Sequence, residues 1–507
     1  MSSLVSTVFR AAYWSFLGMA LFVLLFSYVL NWTAALEQPY SIEYEGHVLW
    51  AVHQMAQGRN IYDPASLSAE PWAVVIYNPL LICLGALLSR LFGTAFWELR
   101  LISMVSAAAA AGGLYMLSRL SGVRVSLALT GVAFFSGFLV VAYWSYLARV
   151  DFLGLACGIW ATERFLATWK ERAAIRSDSI EGYRWAMILL LLAYFTKQQY
   201  FVFGVAWLVF LVWNGRGKIA LKLGAVTLGV GAAVTLFIQL VTGGYLQHLL
   251  FATGLPWEWA TLRYPLQVMS RDPKTVVGLC IVLLGLLYTG RLSEPERLPM
   301  LVMFLSLLFS LYTMGLRGAY HNHLLVTICG FTWWLTLALE RLPVWVAALA
   351  AATVLVSITQ PEISARRIWE AIRESANTGF WITHVQRSYP RRAHLLAEDP
   401  SIAVLAGLEP AAVDVTTLMN IWRSQPGKLD PLIGEIENGK YPAIIVIAYD
   451  CRYRRGGIWP PPVMRAILKH YVYVGRVHGN GIPQWIFFPA EQGSLRANDS
   501  GWHPDVH

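Results

Sequence analysis

Charged side chains are scarce in this 507-residue chain. Asp, Glu, Lys and Arg make up only 14% of it, while hydrophobic residues make up 57% and the mean hydropathy is +0.51. This balance excludes an ordinary soluble globular protein, in which about 25% of residues are charged. The apolar run from Ala11 to Leu30 is long enough for a bilayer core, which needs about 20 helical residues. We therefore predict an integral membrane protein with a retained N-terminal anchor rather than a cleaved signal peptide.

Cysteine is also rare, with five residues in the chain. Four lie in apolar segments and one, Cys451, lies in the polar C-terminal part, so the spacing does not suggest a disulfide framework. The net charge is +9. In a membrane protein basic residues gather in cytoplasmic loops, and nucleic acid is therefore not an expected partner.

Apolar segments recur along most of the chain and predict about eleven crossings of the membrane. After the first, the candidate spans are Leu99 to Ser118, Ser126 to Tyr143, Phe152 to Thr168, Trp185 to Thr196, Tyr200 to Trp213, Leu221 to Val241, Thr275 to Gly290, Leu298 to Gly315, His323 to Leu339 and Val344 to Ile358. The loops rich in Lys and Arg are assigned to the cytoplasm and the acidic loop from Asn31 to Trp72 to the outside.

This topology is consistent only under two conditions. The apolar segment Trp72 to Leu91, which contains Pro79, must not cross fully and is expected as a re-entrant or juxtamembrane helix. The 29 residues from Trp185 to Trp213 must form two short limbs that meet near Lys197, because Lys-Gln-Gln in an apolar run is costly in lipid unless it lines a water-filled cavity.

The predicted architecture is an all-α polytopic membrane protein with juxtamembrane helices and a small C-terminal α/β extracytoplasmic domain. Residues 1–358 form the transmembrane domain, with a first external loop at 31–98 and an external covering loop at 242–273. Residues 359–507 form the C-terminal domain. There we predict a helix at Ser364 to Asn377, a strand at Ala443 to Ala448, and a hairpin around His478 to Gly481.

Two glutamates, Glu43 and Glu45, follow the first span closely. The apolar residues after them recur at helical spacing as far as Gly58, which predicts a short amphipathic helix on the membrane surface. A carboxylate at the edge of a low-dielectric cavity is a candidate general base, because burial raises its pKa. With His47, the same carboxylates could instead bind a divalent cation such as Mg²⁺ or Mn²⁺. A third interpretation is helix N-terminal charge, which the helix dipole favours.

Further polar groups fall on the same external side of the predicted topology. Arg149 and Asp151 precede a span, where they act either at a site or as an interfacial ion pair. Lys197 lies at the break between two half-helices, a position that suits a phosphate. The segment Arg317 to His323 offers phosphate contacts or metal ligands through Arg317, His321 and His323, although histidines are also common anchors at span ends. Arg263 lies in the predicted covering loop.

Short motifs in the first external loop resemble those of the GT-C glycosyltransferases, which include protein O-mannosyltransferases and the lipid A aminoarabinose transferase. The matching stretches are Tyr44 to Gly58, Ile61-Tyr-Asp63, Tyr77-Asn-Pro-Leu80, Leu91-Phe-Gly93 and Glu98-Leu-Arg100. Arg149-Val-Asp151 looks like the family's second acidic position, and Lys197 like its lysine after a short span.

The resemblance implies an inverting glycosyltransferase that takes a sugar from a polyprenyl-phosphate donor. The acceptor would be a glycan, a lipid or a protein, and the site would face the periplasm from a bacterial inner membrane. The implied catalytic residues are Glu45 and Asp151. The implied phosphate contacts are Lys197, Arg149, Arg263 and Arg317, and the cavity would be lined by Tyr44, Tyr77, His321 and His323.

One departure from the family bears on the base. Many relatives carry Asp-Glu where this chain has Tyr44-Glu45, so the role falls to Glu45 alone or is shared with Glu43 or Asp151. Some relatives use a divalent cation and others do not. The alternative function is a lipid-linked-sugar flippase; transporters often repeat broken spans in two halves, and here we find one broken span and no second half.

Overall fold

A computed structural model describes most of the chain. The described residues are 3–42, 44–175, 179–289, 294–358, 379, 382–383, 386–387, 393–423, 425–447, 459–479 and 482–490. Glu43 and the helix predicted at Ser364 to Asn377 lie outside the described residues.

Sixteen helices make up the described part of the N-terminal 358 residues. They are α1 (Ser3–Glu37), α2 (Gly46–Ala56), α3 (Leu80–Phe92), α4 (Phe96–Leu120), α5 (Val125–Ser136), α6 (Leu139–Trp144), α7 (Asp151–Ile175), α8 (Arg184–Tyr194), α9 (Phe201–Trp213), α10 (Gly217–Thr242), α11 (Tyr245–Phe251), α12 (Trp259–Arg271), α13 (Pro273–Thr289), α14 (Glu294–Met314), α15 (Leu325–Arg341) and α16 (Val344–Ile358). Short 3₁₀ turns join several of them.

Five helical segments of the described chain are long and apolar enough to cross a membrane. They are Thr7–Glu37, Phe96–Leu120, Gly217–Thr242, Glu296–Met314 and His321–Arg341. The last is 94% buried over its apolar window, so it forms the centre of the helical bundle. On α10, by contrast, Leu221 is 76% exposed and Leu240 74% exposed. Large apolar side chains on an outer surface are expected where the neighbour is lipid rather than water.

The segment Trp72 to Leu91 does not form one long helix. It begins as strand β1 (Trp72–Ala73) and continues, after an extended stretch, into the 13-residue helix α3. Thirteen helical residues span roughly 20 Å, less than the roughly 30 Å of a bilayer core. That this segment does not cross fully stays a prediction.

The run from Trp185 to Trp213 is broken where Lys197 lies. Helix α8 ends at Tyr194, the short turn Gln198–Tyr200 follows, and α9 begins at Phe201. Leu80 at the start of α3 donates its amide to the Phe195 carbonyl at this break (2.9 Å). The two short limbs predicted from the Lys-Gln-Gln sequence are thus present.

Two other predictions need correction. Helix α1 continues to Glu37, beyond the expected end of the first span at Leu30. The segment at 242–273, predicted as a loop, is mainly helical because it contains α11 and α12. Helix α12 is amphipathic and contains Pro265, which is tolerated at the cost of one backbone hydrogen bond.

The C-terminal part is built on a five-stranded mixed sheet with the order β3-β2-β5-β7-β6. Its strands are β2 (His394–Ala397), β3 (Glu409–Pro410), β5 (Ile444–Ile447), β6 (Tyr471–Gly479) and β7 (Ile482–Pro489), with helices α17 (Ser401–Leu405), α18 (Val415–Trp422), α19 (Asp430–Glu437) and α20 (Pro461–His470). Strands β6 and β7 pair antiparallel, as the predicted hairpin requires. The predicted strand at Ala443 to Ala448 is β5.

A separate two-stranded sheet joins the two parts of the molecule. Strand β1 of the first external segment pairs in parallel with β4 (Ala412–Val413) of the C-terminal part, with Trp72 opposite Ala412 and Ala73 opposite Val413. The C-terminal part is therefore docked directly on the segment that leads to Tyr77 and α3.

Candidate active site

Glu45 lies at the N-terminus of α2, where both its carboxylate oxygens are occupied. Arg100 of α4 donates from Nε to Oε1 (3.1 Å) and from Nη2 to Oε2 (2.8 Å), and both side chains are fully buried. The backbone amides of Ile42 and Ala148 donate to the same carboxylate. A buried charge is tolerated when it is paired and hydrogen-bonded in this way, and these contacts favour a structural role for Glu45. Its assignment as a base stays a prediction.

Arg100 connects several segments through its remaining donors. Nη1 donates to the Ala35 carbonyl (2.8 Å) and to the Gln38 carbonyl, and Nη2 donates to the Tyr40 carbonyl (2.7 Å). The guanidinium thus fixes the end of α1 and the chain that follows it against α4. This arrangement fixes the position of Tyr44, which precedes Glu45.

A second buried cluster centres on Asp151, the first residue of α7. Its Oδ1 accepts hydrogen bonds from Lys197 Nζ and Asn322 Nδ2, each at 2.8 Å. Its Oδ2 lies 4.0 Å from Arg149 Nε and has no hydrogen-bond partner among the described residues. Asp151 is fully buried, while Arg149 and Lys197 are 8% and 6% exposed. Two cations therefore share one carboxylate in this cluster.

Arg149 also connects this cluster to two tyrosines. Nη1 donates to the Tyr44 carbonyl (2.7 Å) and Nη2 to the Tyr77 hydroxyl (2.6 Å). The guanidinium lies 5.6 Å from the Tyr77 ring centroid and 5.1 Å from that of Trp144, distances at which cation–π attraction holds it in place. Tyr44 has φ +44°, a left-handed conformation that is uncommon for a bulky residue and is found at functional sites.

Burial keeps the polar rings beside Arg149 in their neutral forms. It raises the pKa of Tyr77 to about 12, although the positive charge of Arg149 opposes the shift. Burial, reinforced by the charge of Arg149, lowers the pKa of His47 well below its usual value of 6.5. The His47 ring lies 5.5 Å from that of Tyr77. Neither ring therefore carries a charge at neutral pH.

The other predicted phosphate contacts lie elsewhere. Arg317 forms an ion pair with Glu258, and Arg263 is exposed on α12, where it lines an apolar groove with Trp259, Leu262 and Leu266. Neither arginine forms a hydrogen bond or ion pair with Asp151. The structure therefore brings Arg149 and Lys197 together and does not bring Arg263 and Arg317 to them.

The two predicted histidines flank a residue that does reach the cluster. His321 and His323 lie on a 3₁₀ turn before α15, and Asn322 between them donates to Asp151. The His323 Nδ1 atom is buried and has no hydrogen-bond partner among the described residues. These residues close the side of the cluster that faces α14 and α15.

Two residues of the site were not among those predicted. Arg100 could have been predicted from the sequence, because it is a charged residue inside an otherwise apolar segment. The sequence offers little evidence for Asn322, since a neutral amide at a span end has no distinctive pattern. Its two histidine neighbours did mark the segment.

The predicted divalent cation was assigned to Glu43, Glu45 and His47, and Glu43 lies outside the described residues. Among the described residues no group of three or more His, Cys, Asp and Glu residues is placed to hold a metal ion. Arg100 occupies the oxygens of Glu45 that would be ligands, and cation ligands of this class are normally free carboxylates. The divalent cation therefore stays a prediction.

The fold of this chain is similar to that of solved membrane-protein structures. The chain superposes on ArnT from Cupriavidus metallidurans in the apo state with a TM-score of 0.60 at 11% identity, covering 94% of this chain and 98% of that one. The same protein bound to undecaprenyl phosphate matches with a TM-score of 0.60 at 12% identity, covering 93% and 98%. The chain has the GT-C fold. The predicted fold class is thereby confirmed.

Two further comparisons agree with the GT-C fold. The oligosaccharyltransferase of Archaeoglobus fulgidus, in complex with Zn and sulfate, matches with a TM-score of 0.53 at 12% identity, covering 89% of this chain and 71% of that one. A family model described as dolichyl-phosphate-mannose-protein mannosyltransferase matches residues 78–241, a stretch that contains Arg149, Asp151 and Lys197. No curated protein sequence matches the chain significantly.

Proposed function

We propose that this GT-C protein is an inverting glycosyltransferase. It moves a sugar from a polyprenyl-phosphate-linked donor to an acceptor on the extracytoplasmic side, which in a bacterial inner membrane is the periplasmic side. The observation that carries the proposal is the buried pair of cations, Arg149 and Lys197, around the single carboxylate of Asp151. The ArnT structure with bound undecaprenyl phosphate supports a ligand of this class.

The charge balance of this cluster suits the leaving group. Two cationic side chains, Arg149 and Lys197, lie around the carboxylate of Asp151. A polyprenyl phosphate leaves with an additional negative charge when the bond to the sugar breaks. Fixed cations in a buried site stabilise such developing charge more strongly than water-exposed ones do. Lys197 and Arg149 would therefore lower the barrier as well as bind the donor.

Asp151 and Asn322 hold this phosphate-binding group in position. The carboxylate orients Lys197 Nζ through a 2.8 Å hydrogen bond, and Asn322 fixes the carboxylate in turn. Tyr77 orients Arg149 from the other side. Such preorganisation is worth most in a site that excludes water. In this assignment Asp151 is a positioning residue on the leaving-group side, and the five residues act as a unit.

The proposed division of labour within the chain follows from the contacts. Residues 1–358 bind the donor in the membrane, and residues 359–507 form the extracytoplasmic domain that rests on strand β1. The acceptor, a glycan, lipid or protein, reaches the sugar from this outer side.

The proposal is tested with purified protein in lipid nanodiscs and radiolabelled undecaprenyl-phosphate sugars as donors. Membranes from cells that lack the gene for this protein supply the acceptor. Wild type should transfer label, and Lys197→Ala should lose at least about tenfold in kcat/KM, since a charge-assisted hydrogen bond contributes about 1.5–3 kcal/mol. Lys222→Ala, an exposed lysine on α10, is the matched control. Movement of the donor across the bilayer without transfer would instead favour a flippase.

A further inference from the structure

The chain between β1 and α3, residues 74–78, contacts the cluster around Asp151 at two points. Arg149 Nη2 donates to the Tyr77 hydroxyl (2.6 Å). Gln198, the neighbour of Lys197 in the chain, donates from Nε2 to the Ile76 carbonyl (3.1 Å). A displacement of residues 74–78 would therefore move the hydrogen-bond partner of Arg149 and disturb the segment that carries Lys197.

The backbone amide of Val75 in this stretch is bound by a side chain. It donates to Nδ1 of His248 on α11 (3.2 Å), whereas the nearby amides of Trp72 and Val74 donate to carbonyl groups of the C-terminal part. Val75 is 5% exposed and His248 is fully buried. A buried backbone amide needs a hydrogen-bond partner, and here the imidazole ring supplies it.

The second ring nitrogen of His248 defines where the proton of the imidazole lies. Nε2 is 3.0 Å from the Asp63 carbonyl oxygen. A carbonyl can only accept, so Nε2 carries the hydrogen and Nδ1 carries the lone pair that accepts from Val75. Nδ1 can accept only while the ring is neutral. The neutral ring thus joins α11 to the first external segment at two separate points.

Tyrosine side chains hold the same stretch through further hydrogen bonds. Tyr245 on α11 donates from its hydroxyl to Asn78 Oδ1 (2.5 Å), and Tyr62 donates to the Tyr77 carbonyl (2.7 Å). Phenols do not change protonation state between pH 5 and 8, whereas histidine is the side chain that does. Among these contacts, the bond from Val75 to His248 is therefore the one that acid can break.

The groups that face His248 keep it neutral at pH 7. Burial lowers its pKa from 6.5, while the hydrogen bond to the Asp63 carbonyl and the charge of the Asp63 carboxylate oppose the shift. The other titratable neighbours are Tyr62, whose ring lies 5.8 Å from that of His248, and Tyr245 on the same helix. Burial raises the pKa of both tyrosines, so they stay neutral throughout the range in which His248 titrates.

We propose that His248 is a positioning residue that holds Tyr77 against Arg149 and makes sugar transfer sensitive to acid. This rests on the proposed function. Protonation by solvent replaces the Nδ1 lone pair with an N–H group, so that two donors face each other and the bond to Val75 is lost. Residues 74–78 then lose this attachment to α11, and Arg149 loses the fixed position of its partner. Transfer is fully present above the pKa of His248 and falls as the pH is lowered through it.

Two substitutions separate this role from simple packing. His248→Asn places an amide oxygen near the position of Nδ1, so it still accepts from Val75 but does not titrate. His248→Leu fills much of the space and accepts nothing. His53→Asn, at a half-buried histidine of α2 that contacts Thr94, is the control. Initial rates are measured between pH 7.5 and 4.5 with the donors and acceptor membranes of the transfer assay described above.

The pH profile gives the expected result. At pH 7.5, kcat/KM of His248→Asn should stay within about threefold of wild type, and that of His248→Leu should fall about tenfold, because the Val75 amide is left unsatisfied. Towards pH 4.5, kcat/KM of wild type and His53→Asn should fall more steeply than that of His248→Asn. The same acid-side fall in wild type and His248→Asn would overturn the inference alone. A wild type that transfers no sugar would overturn the proposed function, and the inference with it.

Hydrogen exchange of wild type gives a readout that needs neither transfer nor a folded variant. Mass spectrometry follows the peptide that contains Val75, with rates corrected for the intrinsic pH dependence of exchange. Its protection should fall between pH 7.5 and 4.5 in wild type and should persist in His248→Asn. Equal protection of this peptide at both pH values in wild type would contradict the inference even if His248→Asn did not fold.

Discussion

Arg100 binds both carboxylate oxygens of Glu45 in the interior of the protein, with Nε 3.1 Å from Oε1 and Nη2 2.8 Å from Oε2. The pair joins α4 to the start of α2 and, through the other donors of Arg100, to the end of α1. Removing one member of a buried ion pair leaves an uncompensated charge and costs about 3–5 kcal/mol. The residue that the sequence presents as a base is therefore also a structural element.

Glu45→Gln and Arg100→Gln should each lower the Tm strongly, because each leaves its partner charge unpaired. The double variant should lose less than the sum of the two single losses, since it leaves no lone charge. Thermal unfolding in detergent measures the effect, and Arg59→Gln, which breaks a partly exposed pair with Glu409, is the control with a small change. An unchanged Tm in Glu45→Gln, together with lost transfer, would restore Glu45 as the base.

Asn322→Ala should impair transfer without affecting the fold greatly. The change removes one of the two hydrogen bonds to Asp151 Oδ1 and so loosens the carboxylate that orients Lys197. A hydrogen bond to a charged group contributes about 1.5–3 kcal/mol, which predicts a loss in kcat/KM of about tenfold or more. Asn438→Ala, at an exposed position after α19, serves as a control. Equal activity of wild type and Asn322→Ala would show that Asn322 does not position the cluster.

The stability of the wild type should fall as the pH is lowered from 7 to 5, partly through His47. Its pKa in the folded protein is well below 6.5, so the folded state stays neutral while the unfolded chain binds a proton below about pH 6.5. Stability therefore falls with decreasing pH, by up to about 2 kcal/mol at pH 5. His47→Phe keeps the ring against Tyr77 and should show a smaller fall in Tm between pH 7 and 5. An identical fall in both proteins would contradict the assignment.

Chelation should leave transfer unchanged. The prediction rests on the Glu45 oxygens, which bind Arg100 instead of being available to a cation. Initial rates of sugar transfer are measured with and without EDTA, and then with Mg²⁺ or Mn²⁺ added. Activity that EDTA abolishes and Mn²⁺ restores would show that a metal site exists in the native enzyme.

The sequence predicted much of the membrane part because its signals are local. Lys197 in an apolar run predicted a break in the span, and the break is present between α8 and α9. The segment at 242–273 was predicted as a loop because it contains Gly243-Gly244, Pro256 and Pro265, which are turn and loop signals.

The site was less predictable because its contacts join distant segments. The bond from Asn322 to Asp151 spans 171 residues, and a neutral amide gives no pattern from which to infer it. Strands β1 and β4 are only two residues long each, too short for a periodic signal. The docking of the C-terminal part therefore became visible only in the fold.

The affinity for undecaprenyl phosphate tests whether Lys197 and Arg149 bind the phosphate of a polyprenyl-linked donor. Binding to wild type, Lys197→Ala and the control Lys222→Ala is measured in nanodiscs at fixed ionic strength. We expect Lys197→Ala to raise the Kd by about tenfold or more, as loss of a charge-assisted hydrogen bond requires, while Lys222→Ala leaves it unchanged. Equal affinities in all three proteins would show that Lys197 does not bind the phosphate.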